Sequence, residues 1–267
     1  MKIVNSFCWD WSEEQSKMLS QVGINVPVGY KRFKIPETSK VFPIVKSYMK
    51  SWGVEEDSVF WIRTIEWSKR EILSSDYSII LDFPHEGYPM DDDDFGYKQT
   101  TYIGEKICPQ CDIAHIQKSY FRLEKKPKKR MFKLFWVEDE LFISTTDYNK
   151  IFKPLGIGFK EVRLYRNDFI IEDVVQLDIP IINEDLPLDK YGYSICPECG
   201  KKKYNPLTKL VLDYFPLHKN PLPHIYKGKE WFGAGHRAYK RIFVSRELAI
   251  KLLDEKLIRL SCLWPCR

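Results

Sequence analysis

Apolar residues recur along this chain with two periods. Met18, Leu19 and Val22 follow at helical spacing behind Ser12-Glu13-Glu14-Gln15. There Ser12 is placed to cap, Gln15 sits three residues on as in a capping box, and Gly23 offers a stop. The pattern predicts a helix over 12–22. Pro27, Gly29 and Pro36 mark a loop after it. Ile44, Val45, Tyr48, Met49 and Trp52 form one face of a second helix that ends at Gly53, with Pro43 admissible only in its first turn. The period then shortens. Val59 to Trp67 is dense in β-branched and aromatic residues and predicts a strand, as does Tyr77 to Phe83. Gln117 to Leu123 and Met131 to Val137 read as the two strands of a hairpin tipped by Lys125-Lys126-Pro127-Lys128-Lys129-Arg130.

The apolar pattern also repeats. Leu141-Phe142-Ile143-Ser144 is matched by Ile242-Phe243-Val244-Ser245. At the same offset Ile151-Phe152 answers Leu252-Leu253, Ile157 answers Ile258, Phe159 answers Leu260 and Val162 answers Leu263. Each copy reads strand, N-cap serine, short amphipathic helix, strand. Asp147 and Glu247 place negative charge near the two helix N-termini.

Each copy follows a cysteine pair, Cys108-Pro109-Gln110-Cys111 in the first and Cys196-Pro197-Glu198-Cys199 in the second. A Cys-x-x-Cys turn aims two thiolates at one point, and two such turns supply the four soft ligands of a tetrahedral zinc. Ribbon sites usually separate their knuckles by about 15–20 residues. Here positions 112 to 195 intervene, so a shared ion implies a folded insertion between the pairs. Four thiolates leave no open position, which makes such a zinc structural, one per chain. His115 lies close to the first pair, but the tetrahedron is complete without it.

These features predict an α+β fold. Two pseudo-repeated strand–helix–strand units, 141–165 and 242–266, are joined by a two-knuckle, four-cysteine zinc-ribbon-like site within a 101–267 domain. Residues 1–100 form an N-terminal α/β extension.

Composition changes this picture in three ways. Aromatic content is high, 15% of 267 residues, which supplies both core and interface anchors. The formal net charge of +5 is too mild to demand nucleic acid as a partner. Seven cysteines without an apolar leader or a membrane-length apolar run point to a cytoplasmic protein with metal-bound or buried thiols. Charge clusters locally in an acidic loop, Asp82, Glu86 and Asp91-Asp92-Asp93-Asp94. That loop lacks the ligand order of a calcium-binding helix–loop–helix and is a candidate contact for a basic partner. No zinc-hydrolase or deaminase pattern, nucleophile elbow or phosphate loop is legible; Gly233-Ala234-Gly235-His236 has no Lys-Ser/Thr after it.

The second knuckle, Cys196-Pro197-Glu198-Cys199-Gly200 with Val211-Leu212-Asp213, resembles the bacterial double-CXXCG-motif proteins. So do Arg241-Ile242-Phe243-Val244-Ser245-Arg246-Glu247 and Leu260-Ser261-Cys262-Leu263-Trp264-Pro265. Some of those proteins are immunity proteins of toxin–immunity systems. The first knuckle departs from the pattern, with Asp112 where the second has Gly200. The resemblance implies a non-enzymatic inhibitor that binds a cognate protein toxin; on charge grounds the acidic run Asp91 to Asp94 is a candidate contact for such a partner. A zinc-ribbon nucleic-acid-binding protein is the alternative, carried by the basic run at 125–130 and by Lys201-Lys202-Lys203.

Overall fold

The computed structural model describes residues 1–56, 58–81, 83–90, 96–102, 107–206, 214–217 and 222–267. The chain is α+β and forms two compact units, one of Met1–Glu71 and one that begins at Ile72. The acidic run at 91–94, Asp82 and Val211-Leu212-Asp213 lie outside the described residues.

The first unit is an antiparallel sheet in the order β2-β1-β3, from β1 (Lys2–Trp11), β2 (Gly29–Pro36) and β3 (Trp61–Glu66). Helices α1 (Glu13–Gln21) and α2 (Phe42–Ser51) pack their apolar faces with it around Phe7, Trp11, Leu19, Val45, Met49 and Trp61. Asn5 is fully buried, and its side-chain oxygen accepts from Trp61 Nε1 at 2.7 Å, so neither polar group is left unpaired. The expected capping box is present: Gln15 N donates to Ser12 Oγ at 3.2 Å and Ser12 N to Gln15 Oε1 at 3.0 Å. Residues 29–36, expected as a loop, are instead β2, paired along its length with β1. The turn signals at Gly29 and Pro36 mark the ends of an edge strand, where a proline costs no ladder hydrogen bond. A short helix, α3 (Lys69–Ser74), follows β3.

Among the described residues the second unit holds three sheets. The largest runs β5 (Phe121–Leu123), β8 (Gly158–Leu164), β9 (Ile170–Asp178), β7 (Val137–Ser144), β6 (Met131–Leu134). The next runs β12 (Ile225–Lys227), β13 (Ile242–Ser245), β4 (Tyr77–Ile80), β14 (Leu263–Pro265). The third is the pair β10 (Tyr193–Ile195) and β11 (Lys202–Tyr204). The helices are α4 (Tyr97–Thr101), α5 (Thr145–Asp147) and α6 (Arg246–Asp254).

The expected hairpin of 117–123 with 131–137 does not form. β5 pairs with β8 and β6 with β7, so the two stretches occupy opposite edges of one sheet. Phe135 and Trp136 make a two-residue turn that closes β6 onto β7 first. Segment 84–90 then bridges both edges, pairing at His85 with Lys133 and at Pro89 with Leu123. The sheet thus curls toward closure around Tyr97, Tyr102, Phe121, Phe132, Phe142 and Val162.

Both predicted strand–helix–strand stretches contain their elements. In each, the two strands run parallel to one another and flank an antiparallel third strand. That strand is β9 between β7 and β8, and β4 between β13 and β14. Ser144 Oγ accepts from Asp147 N at 3.1 Å and Ser245 Oγ from Leu248 N at 3.3 Å, as the capping pattern predicts. The first helical stretch differs in winding: after α5 it continues as a π turn, Tyr148–Phe152, and a 3-10 turn, Lys153–Leu155.

Strand β7 carries Glu138-Asp139-Glu140, and the last two are buried. Glu140 pairs with buried Lys227 at 2.6 Å and accepts from Gln176 at 2.9 Å, which links β7, β9 and β12. Asp139 accepts the backbone N–H of Lys240 at 3.1 Å. Burial works against the Lys227 ammonium, yet Glu140 and Asp139 outweigh it and hold its pKa above the ordinary lysine value. Lys240 lacks so close a carboxylate; burial pulls its amine down to about 8.

Two outcomes follow. Lys227→Met strands the Glu140 charge and should cost about 3–5 kcal/mol in denaturant unfolding, whereas Lys227→Met with Glu140→Leu should recover much of it. Between about pH 8 and the ordinary lysine value, the unfolded chain keeps a proton on Lys240 that the folded chain has released. Stability should therefore rise with pH across that window, and the rise should be absent in Lys240→Met.

Candidate metal centre

The second knuckle is the loop of the β10–β11 hairpin: β10 ends at Ile195, Cys196 to Lys201 turn, and β11 starts at Lys202. The first knuckle follows the stretch after α4. The two have the same internal wiring. Asp112 N donates to Cys108 O at 2.8 Å and Gly200 N to Cys196 O at 2.9 Å. Cys108 N donates to Ile113 O at 3.2 Å and Cys196 N to Lys201 O at 3.0 Å. Each turn needs a left-handed residue after its second cysteine, with φ of 63° at Asp112 and 68° at Gly200.

Glycine takes that conformation without a Cβ penalty, and aspartate is one of the few other residues that visit it. Here Asp112 is also anchored. Its carboxylate lies 2.8 Å from Lys98 Nζ and 2.9 Å from His115 Nε2. Burial alone would raise its pKa, but the His115 and Lys98 contacts prevail and hold it below the ordinary value. The departure from the Cys-x-x-Cys-Gly pattern is therefore a substitution that keeps the backbone shape and adds a side-chain clamp.

The four sulfurs converge. Cys108, Cys111, Cys196 and Cys199 place their Sγ atoms within 4.8 Å of one another, with 3.8 Å between Cys108 and Cys196 and 3.5 Å between Cys111 and Cys199. Thiolates about 2.3 Å from a tetrahedral ion stand roughly 3.8 Å apart, so the cluster has the size of a four-sulfur cage. Three of the four cysteines are buried, and Ile113, Ala238 and Trp231 pack around them. All seven cysteines of the chain are free thiols, so neither knuckle is closed by a disulfide.

The thiols differ in acidity. The backbone N–H groups of Cys199 and then Glu198 face the Cys196 sulfur and bring it down to about 7. Burial pushes Cys111 up to about 12. Four thiolates in this volume would repel one another. A soft divalent ion replaces the thiol protons, and its affinity must fall as the pH falls.

Two features of the support were not singled out by sequence. Buried Lys203 donates to the carbonyls of Cys111 at 3.0 Å, Gly235 at 2.6 Å and Arg237 at 3.1 Å. One ammonium on the strand leaving the second knuckle thus holds the first knuckle and the 233–238 turn together. That turn depends on Gly233, at φ +137°, where an added Cβ would stand 2.1 Å from the Arg237 carbonyl oxygen. The only sequence signals were the Lys201-Lys202-Lys203 run and the Gly-Ala-Gly triplet, both of which also suit solvated loops. His115 is no ligand in this arrangement. It clamps Asp112 and packs against Tyr102 and Trp231. Asp91 to Asp94 fall outside the described residues, while Glu86 accepts the N–H groups of Lys128 and Lys129 at 2.5 and 2.6 Å.

Asp112→Gly should keep bound metal and melt within a few degrees of the parent, while Asp112→Val, β-branched in a left-handed position, should lose both. Cys199→Ser should lower the melting temperature and release metal, measured by elemental analysis after gel filtration. In the parent, metal retained at about pH 7.5 should be shed progressively on titration toward about pH 5. The chain matches no protein-family model, no curated protein and no solved structure.

Proposed function

We propose that this protein is a non-enzymatic, immunity-type protein that binds and neutralises a cognate protein toxin, with one structural zinc in the four-cysteine cage. Zinc is the ion because four thiolates in a tetrahedral cage are its commonest structural ligand set. Four protein ligands saturate it, so the ion ties the chain together and leaves no position for substrate.

The observation that carries the binding reading is an exposed aromatic surface at the β6–β7 turn. Tyr88, Phe135 and Trp136 are 51%, 40% and 49% exposed. Phe135 stacks between His85 at 5.4 Å and Tyr88 at 4.8 Å, and the Arg237 guanidinium lies 4.4 Å over the Trp136 ring. A two-residue hairpin turn is normally Asn-Gly or Asp-Gly. This one is Phe-Trp, with Trp136 at φ 71°. A bulky aromatic held in a left-handed conformation at a solvent-facing turn costs stability, and rigid exposed aromatics beside an arginine are the usual make-up of protein-binding hot spots. The double-CXXCG resemblance supplies the kind of partner, and Asp91 to Asp94 remain the proposed charged contact for it.

The two strand–helix–strand stretches are best explained as copies of one ancestral unit. Their caps and strand arrangement agree, and the π turn of the first accommodates one extra residue before its closing turn.

The test is co-expression with the product of the neighbouring reading frame, which on this reading is a toxin. The protein should rescue growth and bind that toxin without turnover. Phe135→Ser with Trp136→Ser should weaken binding by about 2 kcal/mol or more while metal content and melting stay unchanged. Replacing Asp91 to Asp94 by Asn should slow association and flatten its salt dependence. Unimpaired rescue by the double-serine variant would remove the aromatic turn from the interface.

A further inference from the structure

A cleft of about 590 Å³ lies between the end of the 125–130 basic run and the turn that follows α6. Its charged lining is Lys129, Arg130, Lys256 and Arg259, and no carboxylate lines it among the described residues. Phe83, Met131 and Leu257 give it an apolar floor, and Ser261 adds a hydroxyl at the rim. Arg130 is committed to Asp147 and to the Glu255 carbonyl, and Lys129 Nζ donates to the His85 carbonyl at 2.6 Å. The exposed side chains of Lys256 and Arg259 make no hydrogen bond or ion pair among the described residues.

The backbone at Lys256 makes the arrangement more informative. Leu257 N donates to Leu252 O at 2.9 Å and Lys256 N to Leu253 O at 3.0 Å, the paired bonds that end a helix through a left-handed residue. That residue is Lys256, at φ 55°. In the other strand–helix–strand stretch the same two bonds, Ile157 N to Phe152 O and Gly156 N to Lys153 O, close around Gly156 at φ 71°. Glycine is the residue this turn favours. A lysine there is held at a cost in backbone energy, and that lysine lines the cleft.

We propose that this cleft binds the phosphate backbone of a single-stranded nucleic acid, with one nucleotide seated over the apolar floor and the adjoining phosphates following exposed Lys125 and Lys128, while neighbouring Lys126 is held by Asp173 at 3.1 Å. The volume suits a nucleotide-sized group. Lys256 and Arg259 supply charge where no carboxylate among the described residues lines the cleft, and Arg259 can grip phosphate through two parallel N–H donors. A row of cations that continues past the cleft fits an extended polyanion better than a single acidic side chain. This site is independent of the toxin-binding reading and uses none of its aromatic residues.

The experiment is fluorescence anisotropy of the full zinc-loaded chain with labelled oligo-dT and oligo-U, with polyglutamate, ATP and inorganic phosphate as competitors. Binding should weaken with salt, with a log–log slope of about −3 for four contacts to a single strand. Lys256→Glu with Arg259→Glu should weaken it about tenfold or more, while the same charge change at Lys69 and Arg70 on α3 should leave it within about twofold. Lys256→Gly should raise the melting temperature by about 2–4 °C and yet weaken binding, a pairing that a purely structural lysine would not give. Equal losses from the two charge reversals, or no saturable binding at low salt, would overturn the proposal. Competition by polyglutamate as strong as by oligonucleotide would assign the cleft to an acidic polypeptide instead. Competition by ATP or phosphate at equal phosphate concentration would replace the strand with a single nucleotide or ion.

Discussion

The convergence of four sulfurs within 4.8 Å constrains everything between them. Residues 112 to 195 must leave the first knuckle and return to the second, so the five-stranded sheet is an excursion whose ends are pinned together. Closing a loop of that length costs entropy, though the cost grows only slowly with length. The knuckles reduce what remains to be organised. Each is a self-contained turn with its own two backbone hydrogen bonds, and Lys203, on the strand leaving the second, holds the Cys111 carbonyl of the first together with two carbonyls of the 233–238 turn.

The second unit tolerates unusual polarity inside because several of the charges it buries meet an opposite charge and others meet backbone groups. Glu140 meets Lys227 and Gln176, and Asp112 meets Lys98 and His115. Such groups add little net stability compared with apolar packing, but they penalise any arrangement that separates them. On the surface the logic reverses. The Phe135-Trp136 turn and Lys256 hold large or charged side chains in left-handed backbone positions, or beside them, where glycine or asparagine would be easier. Backbone energy is lost at both places, and both belong to the surfaces proposed above as contacts.

Local features are legible in the chain alone. Ser12 with Gln15, Ser144 and Ser245 announce helix starts because a hydroxyl satisfies an orphan N–H within three residues, and all three caps are present. The two Cys-Pro-x-Cys turns identify the four cysteines that converge, because each turn aims two sulfurs at one point. The apolar rhythm places α2, β3 and β4 within a few residues of their observed bounds. Pairing partners are set only in three dimensions. β2 reads as a loop because its Gly and Pro boundaries are visible in sequence, while the strand β1 that pairs with it is distant and carries no turn signal. The stretches at 117–123 and 131–137 look like neighbours, yet strand pairing depends on which strands a tight turn joins and on what covers the remaining edges. Here those are Phe135-Trp136 and segment 84–90. Likewise β4, early in the chain, is the strand between β13 and β14. The left-handed Asp112 and Lys256, the Lys203 clamp and the cationic cleft depend on residues far apart in sequence meeting in space. No periodicity or spacing along one chain encodes such meetings, because their energies arise only when the sheets have curled and packed.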